Sequence, residues 1–353
     1  MDGMPFKQQT LKSMILDIET ANPPNSLTQE EVLSVLTESV KLSDRALDLY
    51  KKFLLDGGIH RRYFSWDDPQ VLLSESPDEK MQRFESSAVD LSVDAVLKIL
   101  RKKDYQSKKI SAVFVCTCTG YLCPGLSTYV CQRLGLPENT HTLDLVGLGC
   151  TGALPALRAA DDYLRRSPDS SVLVIAVEIC SAATHWKEKP ELILSNAIFS
   201  DGAAAVLLSN QTDKPGLCIE NISSLLRPQF RDDLRFKYLD SRLCNVISPK
   251  VPHIVADAIH ALYKNTSVDK TLYAFHSGGR KVLDAIQERL ELSDEDMLPS
   301  RQVLKEYGNM SSPSVLFVLK SILKRPLLNH DAVTCFSFGA GFLASMLQAK
   351  WQS

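Results

Sequence analysis

Apolar residues along the chain follow two patterns, which predict alternating strands and helices. In the first part of the chain, continuous apolar runs typical of buried strands lie at 13–18, 110–115, 172–177 and 203–208. Apolar residues three and four positions apart predict amphipathic helices at 30–36, 48–55, 88–100, 128–134 and 153–164. Strands and helices that alternate in this way predict an α/β fold in which helices cover the strands.

The second part of the chain repeats this order of elements. Helices are predicted at 254–263, 281–290 and 315–323, and strands at 271–275, 332–336 and 342–347. The stretch from Cys150 into the strand that follows it is as long as the stretch from Asn309 into its following strand. Each of the two helices between them has a proline in its first turn, Pro155 in one copy and Pro313 in the other. The repeated order predicts an internal duplication.

The duplication predicts two βαβ-rich halves that stack about a pseudo-twofold axis, with helices on both sides of the strands. The polar, turn-rich stretch at 210–216 marks the join, so we divide the chain into residues 1–212 and 213–353. Such an axis brings two helix N-termini together in the middle of the molecule. We therefore expect Cys150 and Asn309 to share one pocket, although they are far apart in the sequence.

Composition is that of an ordinary globular protein and excludes some partners. Of the 353 residues, 44% are hydrophobic and 23% are charged. Forty basic and 42 acidic residues give a formal net charge of −2, and no basic run with interleaved aromatics occurs, so nucleic acid is not an expected partner. The first residues lack an apolar signal core, and no apolar stretch is long enough to span a membrane. We therefore expect a cytoplasmic protein with no membrane partner.

The nine cysteines predict reduced thiols rather than a disulfide framework, because their number is odd and they are spread over a long chain. Four of them, Cys116, Cys118, Cys123 and Cys131, suggest a metal site at first. Their uneven spacing lacks the paired Cys-x-x-Cys knuckles of zinc sites. We expect no metal and interpret these residues as buried thiols or as lining of a pocket.

Cys150 lies in the stretch Gly-Leu-Gly-Cys-Thr-Gly-Ala, directly before an amphipathic helix. Gly147 and Gly149 permit a tight turn from strand to helix, and Pro155 is acceptable only in a first turn. A thiol at a helix start is close to unpaired amide groups and to the positive end of the helix dipole, which both favour the thiolate. We interpret Cys150 as a nucleophile; the alternative is a small buried cysteine.

Two further residues complete a candidate reaction centre. His276 ends a predicted strand and is followed by Ser277 and two glycines, which clear space beside the ring. Asn309 stands before a predicted helix, where its alternative role is a helix cap. With Cys150 they supply a nucleophile, a base and an amide donor, which can form a thiolate–imidazolium pair and stabilise an oxyanion or enolate. Cysteine proteases also use Cys, His and Asn, but a duplicated α/β chain does not match their fold.

The motifs around these residues, at 147–150, 275–279 and 307–312, resemble the three signature motifs of type III polyketide synthases, the chalcone-synthase-like branch of the thiolase superfamily. The likeness extends over roughly residues 13 to 348, through further stretches at 22–24, 59–63, 199–205 and 337–341.

The resemblance implies a thiolase-like fold with duplicated αβαβα halves, in a homodimer that acts on coenzyme A thioesters without a metal or an organic cofactor. Cys150 would take the starter acyl group as a thioester. His276 and Asn309 would hold the thioester carbonyl of malonyl-CoA, so that loss of carbon dioxide leaves a stabilised enolate. That carbanion would attack the Cys150 thioester, extend the acyl chain by two carbons, and give a polyketide after repetition.

The resemblance also implies which residues form the substrate cavity. Phe199 matches a phenylalanine that gates the passage between the coenzyme A tunnel and the cavity. The second gate position falls on Asn245, which is polar where an aromatic residue is usual. Cys123 matches a residue on the loop that reaches across the dimer. The other positions that line the cavity match Cys118, Thr119, Cys180, Ala183, Ser311 and Phe338.

The chain departs from the family pattern in two further places. The Gly-Phe-Gly-Pro-Gly loop is Ser-Phe-Gly-Ala-Gly at 337–341, which implies a looser scaffold for cyclisation. The segment between Lys52 and Ile59 is shorter than in the plant enzymes, so Lys52 and Arg61 are the candidate contacts for the coenzyme A phosphates. The basic cluster at 59–63 is either such a phosphate site or a solvated face. A weak phosphate site would leave room for substrates delivered by an acyl carrier protein.

Two other functions fit parts of the same pattern. A stand-alone ketosynthase would use the same three residues to join two acyl or β-ketoacyl chains once, with carrier proteins as one source of these chains. A non-catalytic acyl-binding or partner subunit would be expected to lack a nucleophile or a base, and this chain has both.

Overall fold

The computed structural model describes residues 12–66, 68, 74–102, 110–210, 214–239, 242–264 and 271–353. Its strands are β1 (Met14–Ala21), β2 (Asn25–Thr28), β3 (Arg61–Phe64), β4 (Ile110–Thr117), β5 (His141–Val146), β6 (Ser171–Glu178), β7 (Gly202–Ser209), β8 (Gly216–Leu226), β9 (Leu234–Leu239), β10 (Arg242–Ile247), β11 (Leu272–Phe275), β12 (Ala332–Gly339) and β13 (Leu343–Gln352). Its helices are α1 (Gln29–Ser39), α2 (Asp44–Leu55), α3 (Pro77–Lys102), α4 (Leu126–Leu134), α5 (Ala153–Arg166), α6 (Pro190–Ile198), α7 (Val251–Tyr263), α8 (Arg280–Leu290), α9 (Asp294–Tyr307) and α10 (Ser314–Leu323).

The strand order confirms the predicted duplication. Hydrogen bonds connect the large sheet in the order β11-β12-β13-β8-β1-β7-β6-β4-β5. In the first half, β4 and β6 are parallel, β7 is antiparallel to β6, and β1 is antiparallel to β7. The second half repeats this arrangement with β11, β12, β13 and β8. The halves meet where β1 and β8 pair through only two residues of each strand, Met14 with Cys218 and Ile15 with Leu217.

Two helices lie in the middle of the molecule, between the halves of the sheet. Helix α5 contacts β4 and β6 on one side and β8 and β13 on the other, while α10 contacts β11, β12 and β1. Every residue from Ser314 to Leu319 of α10 is buried, as expected for a helix covered on all sides. Helices α3 and α4 cover the outer face of the first half, and α7 packs on the outer face of the second half and against α8. Two sheet layers and three helix layers form the expected α/β thiolase-like architecture.

Several elements differ from those predicted. Helix α3 begins at Pro77, well before the predicted start at residue 88. The pattern also missed α6, α9, β5, β8 and the β9–β10 hairpin. The predicted boundary at residues 212 and 213 lies between β7 and β8, and residues 211–213 lie outside the described residues, so the division into 1–212 and 213–353 stays a prediction.

Three predicted absences can be compared with the described ranges. None of their helices is long and apolar enough to cross a membrane. The nine cysteines, which all fall within these ranges, form no disulfide with one another. No group of three or more His, Cys, Asp or Glu side chains in the described part of the chain could hold a metal ion. The cellular location of the protein stays a prediction.

Candidate active site

Cys150 lies in a short 3-10 turn, Gly149–Thr151, which leads directly into α5. Gly147 and Gly149 adopt φ values of 81° and 59°, which favour glycine. The end of β12 presses on this turn, because a Cβ atom on Gly339 would lie 2.9 Å from the Cys150 amide nitrogen. The predicted turn from strand to helix at Cys150 is therefore present, and a strand of the second half packs against it.

A chain of hydrogen bonds connects the three candidate catalytic residues across the two halves. The Ser311 hydroxyl donates to Cys150 Sγ at 3.2 Å. The Ser311 amide donates to Asn309 Oδ1 at 2.8 Å, and Asn309 Nδ2 donates to the Gly278 carbonyl at 3.1 Å. Gly278 follows His276 by two residues, and its amide donates to the His276 carbonyl at 2.8 Å. The duplication thus brings Cys150, His276 and Asn309 to one place.

The His276 ring is completely buried, and neither of its nitrogens has a hydrogen-bond partner among the described residues. Its backbone amide donates to Phe336 at 2.8 Å, which fixes the end of β11 beside β12. The Phe338 ring packs edge-on against the imidazole, with 4.9 Å between the ring centroids. Burial lowers the pKa of His276 to about 3, so the isolated ring is neutral.

Burial opposes the thiolate that the helix start favours. Cys150 is only 7% exposed, and burial raises the pKa of its thiol to about 12, against the hydrogen bond from Ser311, which lowers it. Because His276 is also buried and neutral, burial favours a neutral thiol and a neutral imidazole when no substrate is bound. The expected thiolate–imidazolium pair therefore requires proton transfer within the site rather than a charge that is already present.

Asn309 does not cap a helix, contrary to the alternative that the sequence offered. Helix α10 begins at Ser314, and the Asn309 side chain bonds to Ser311 and Gly278 instead. Ser311 adopts a φ of 61°, a left-handed conformation that is unusual for a residue with a side chain. This conformation holds the Ser311 hydroxyl against Cys150.

Glu178 is a central residue of the site that sequence reasoning missed. Its carboxylate is fully buried and accepts hydrogen bonds from the Ser312 hydroxyl at 2.6 Å, the Cys118 amide at 2.9 Å and the Thr119 hydroxyl at 2.9 Å. The Ser311 hydroxyl lies 3.3 Å from the same carboxylate, so its single proton is shared between Glu178 and Cys150 Sγ. Burial raises the pKa of Glu178, although the bond from Ser312 opposes this. An acidic residue directly after a wholly apolar strand was the available signal.

Two cavities adjoin the reaction centre. The larger, of about 590 Å³, opens to solvent and is lined by Cys118 and Gly149 beside Cys150. The smaller, of about 60 Å³, is mostly apolar and lies beneath α1. Thr119 and Phe236 line both cavities and so form part of the wall between them. Four further predicted substrate residues line the smaller cavity, namely Cys180, Ala183, Phe199 and Asn245.

The remaining predicted residues are not among those that line the two cavities. Ser311 and Phe338 contact Cys150 and His276 directly, as described above. Cys123 is exposed, so ordinary buried packing is not its role. Lys52 is exposed on α2, and Arg61 Nη1 donates to the Ser26 hydroxyl at 2.8 Å; neither residue is among those that line the two cavities.

The basic cluster at 59–63 needs a correction, because it is neither wholly a solvated face nor wholly a phosphate site. Its central member, Arg62, is only 2% exposed. The Arg62 side chain points into the protein and lines the smaller cavity. Alternation along β3 accounts for this, since Arg62 and Phe64 are buried while Arg61 and Tyr63 are half-buried.

Sequence families define the class to which this fold and site belong. The family described as FAE1/Type III polyketide synthase-like protein matches residues 8–230, and the C-terminal domain of chalcone and stilbene synthases matches residues 225–346. The chain belongs to the type III polyketide synthase family, whose members are condensing enzymes of the acyltransferase type.

Individual relatives also match this chain over most of their own length. A 3,5-dihydroxyphenylacetyl-CoA synthase of Streptomyces toyocaensis is 28% identical, over 88% of this chain and 82% of its own. A phloroglucinol synthase of Pseudomonas fluorescens is 24% identical, over 93% of this chain and 96% of its own. The crystal structure of PKS-I from the brown alga Ectocarpus siliculosus has a TM-score of 0.89 at 25% identity and covers 98% of this chain and 99% of its own. The 1,3,6,8-tetrahydroxynaphthalene synthase of Streptomyces coelicolor shares the fold, with a TM-score of 0.89 at 22% identity over 96% of this chain and 99% of its own.

Proposed function

We propose that this enzyme loads an acyl group from coenzyme A onto Cys150 and extends it with malonyl-CoA. The Cys150 sulfur attacks the thioester carbonyl of the starter, and coenzyme A leaves with the thiol proton, which His276 transfers. Malonyl-CoA then loses carbon dioxide. The resulting enolate attacks the acyl carbon, expels the Cys150 sulfur, and gives a β-ketoacyl-CoA that is two carbons longer.

The observation that supports this proposal most directly is the hydrogen-bond chain from Cys150 through Ser311 and Asn309 to Gly278. It holds the nucleophile beside two groups that can still donate. One proton of Asn309 Nδ2 is not used by Gly278, and both His276 nitrogens lack partners among the described residues. Donors placed where enolate charge develops lower the barrier to decarboxylation without a metal. We accordingly expect activity to survive dialysis against a chelator.

The two cavities suggest how substrates are divided. The larger cavity lies within the size range of small-molecule sites, and we assign it to the growing chain and to entry of the substrate. We assign the smaller, apolar cavity to the acyl end of the starter. Its polar lining residue Asn245 has a buried Oδ1 atom without a partner among the described residues, so a starter with a hydrogen-bond donor fits there better than a purely aromatic one.

A homodimer is part of the proposal. Strand β5 lies at the edge of the sheet, and its side chains Leu143 and Val146 are 38% and 49% exposed. Tyr121, on the loop that also carries the exposed Cys123, is 67% exposed. Exposed apolar residues on an unpaired edge favour contact with a second copy. Analytical ultracentrifugation should give twice the chain mass of 39.2 kDa, and a stable monomer with full activity would contradict this part of the proposal.

The first test is intact-protein mass spectrometry after exposure to a panel of acyl-CoA thioesters. We expect an acyl adduct that is absent from Cys150→Ala and present in the control Cys335→Ala, which removes a buried thiol from β12 in the core. Addition of malonyl-CoA should convert the adduct into a longer product. Loading only from an acyl carrier protein, with a single condensation, would favour the stand-alone ketosynthase. A wild-type protein that neither loads nor decarboxylates would contradict catalysis altogether.

A further inference from the structure

Arg62 is an unusual residue, because it is a fully buried charge without a carboxylate partner among the described residues. Its Nη1 atom donates to the carbonyl oxygens of Asn196 at 2.8 Å and Phe199 at 2.7 Å. Its Nε atom donates to Gln29 Oε1 at 2.8 Å. The guanidinium also lies 4.9 Å from the centroid of the Phe64 ring. Removal of a charge from water is unfavourable, and Asp201 acts on Arg62 only at a distance, without an ion pair, so the burial of this arginine requires a reason.

The carbonyl groups that Arg62 binds belong to the end of α6. Asn196 lies in its last turn and Phe199 is its C-cap, so these oxygens are not all satisfied within the helix. They also form the negative end of the helix dipole, which favours a cation. Burial lowers the pKa of Arg62 only to about 9, so the guanidinium keeps its charge at neutral pH. Arg62 thus fixes the end of α6 in place of a carboxylate partner.

The segment that follows α6 is bonded directly to Asn309. The Asn309 amide donates to the Ile198 carbonyl at 2.9 Å, and the Ser200 amide donates to the Asn309 carbonyl at 2.9 Å. Phe199 and Asn309 therefore form an isolated parallel β-bridge. A shift of the chain at 198–200 would move the Asn309 backbone with it.

Arg62 also touches the other side of this pairing. A Cβ atom on Gly308 would lie 2.8 Å from Arg62 Cγ, so the aliphatic part of the arginine packs against the residue before Asn309. Gly308 has a φ of 68°, and no larger residue would fit there without moving Arg62. One side chain thus holds the Phe199 segment through hydrogen bonds and the Asn309 segment through packing.

We propose that Arg62 is a positioning residue that sets the place of Asn309 in the reaction centre. Although Arg62 also lines the smaller cavity, which we assign to the starter, it acts on Asn309 through the backbone at Phe199 and Gly308, and decarboxylation of malonyl-CoA measured without a starter reports this role alone. Arginine suits the task better than lysine, because its planar fork reaches Gln29 and two carbonyl groups at once. The proposal rests on the proposed role of Asn309 in decarboxylation of malonyl-CoA.

The test separates the two halves of the reaction centre. The rate of carbon dioxide release from malonyl-CoA reports the function of Asn309. The rate of Cys150 alkylation by iodoacetamide reports the reactivity of the nucleophile. For Arg62→Met we expect kcat of decarboxylation to fall about 10- to 100-fold, with KM little changed, because a misplacement near 1 Å costs about 100-fold. Cys150 alkylation should fall much less than decarboxylation, because the turn Gly149–Thr151 belongs to the half that lacks Asn309 and a shift of Asn309 reaches Cys150 indirectly, through the Ser311 hydroxyl.

Two further variants keep the test decisive if Arg62→Met folds poorly. Arg62→Lys keeps a charge that can reach one carbonyl group, and it should recover part of the lost kcat. Gln29→Met removes one of the three acceptors and should cause a smaller loss of the same kind. The control is Arg301→Met, which also removes an arginine bonded to a glutamine. The Arg301 side chain bonds to Gln287 and pairs with Asp284, which are both on α8, so its loss should leave both rates unchanged.

The outcomes distinguish the inference from the function on which it rests. A wild-type enzyme that does not decarboxylate malonyl-CoA would refute the proposed function. A wild-type enzyme that does so, with variants of Arg62 and Gln29 that either keep full activity or lose decarboxylation and alkylation equally, would refute the positioning role alone.

Discussion

Single side chains of the site are prepared for reaction by burial rather than by charge. His276 and Asn309 keep donor capacity that the protein does not use, and Cys150 and His276 are both held in environments that favour neutral forms. Binding of a thioester carbonyl would supply the partner that these groups lack. Unpaired donors in a water-poor site stabilise developing charge more strongly than donors in water do.

The most informative single substitution removes one hydrogen-bond donor of the site and keeps the nucleophile Cys150. For Asn309→Ala we expect decarboxylation of malonyl-CoA to slow by about 10²–10³-fold, or about 2.7–4 kcal/mol, because one enolate donor is lost. Acylation of Cys150 should continue, which mass spectrometry of the adduct would show. Equal loss of loading and decarboxylation would mean that Asn309 supports the fold of the site rather than the enolate.

The sequence predicted residues with a local signature and missed those defined only by tertiary contact. Cys150 stands between glycines before a helix, and His276 stands before glycines at a strand end, so local pattern was enough. Arg62 looks like an ordinary surface charge in the sequence, and Glu178 has only its place after an apolar run as a signal; their burial shows that both are internal. The alternation that buries Arg62 occupies a strand of four residues, too short to assign a face from pattern alone.

Among the secondary-structure elements, the contact between the end of β12 and the turn at Cys150 is the most restrictive. Gly339 has an extended backbone that any residue could adopt, so its need for glycine comes from space alone. A Cβ atom there would lie 2.3 Å from the Leu148 carbonyl oxygen and 2.7 Å from the Thr151 amide nitrogen. These are backbone atoms, which cannot turn aside as the end of a side chain can.

For Gly339→Ala we therefore expect the Cys150 turn to be displaced and acyl loading to fall about 100-fold, as for a misplacement near 1 Å. Gly135→Ala is the control, because Gly135 is the C-cap of α4 and has a φ of 61°, but a Cβ atom there would meet nothing within 4 Å. It should cost about 1–2 kcal/mol of stability from backbone strain and leave loading unchanged. Wild-type loading by Gly339→Ala would show that the turn adapts to the added methyl group.

Helix α9 and the β9–β10 hairpin were missed for separate physical reasons. Helix α9 contains Pro299 beyond its first turn, which argues against a helix in the sequence although the proline is buried in the structure. Strands β9 and β10 carry several charged residues, so they lack the apolar run that identified the central strands. Apolar strands and the amphipathic α5, by contrast, were found near their observed bounds because burial dictates their composition.

For the molecule as a whole, charge contacts across the central layer add to the apolar core. Lys320 of α10 donates to Glu19 and to Thr20 of β1, so a helix of the second half is bonded to a strand of the first half. Lys102 of α3 donates to the same carboxylate at 2.7 Å. Burial raises the pKa of Glu19, but the two lysines outweigh burial, and the net pKa lies below the ordinary value.

A carboxylate with a lowered pKa stabilises the fold above its unfolded pKa, and this contribution is lost as the pH falls through the folded value. For Lys320→Met we expect a loss of about 1 kcal/mol at pH 7, because Lys102 remains and the site is partly solvated. The difference from the wild type should shrink as the pH falls below the ordinary pKa of glutamate and vanish once Glu19 is protonated in both proteins, which happens last in the wild type because its pKa is lowered. Thermal unfolding over this pH range is the measurement, with the exposed Lys324→Met as control. A difference that does not depend on pH would assign the effect to lost packing.

The seam between the halves, where β1 and β8 share only two residue pairs, resembles the interface of a two-chain complex whose chains have been joined. Because one chain connects β7 to β8, the nucleophile meets the residues that donate to the substrate carbonyl within a single molecule. Joined modules encounter each other at effective concentrations of about millimolar, whatever the amount of protein in the cell. Dilution can therefore separate two copies of the enzyme from each other, but it cannot separate Cys150 from His276 and Asn309.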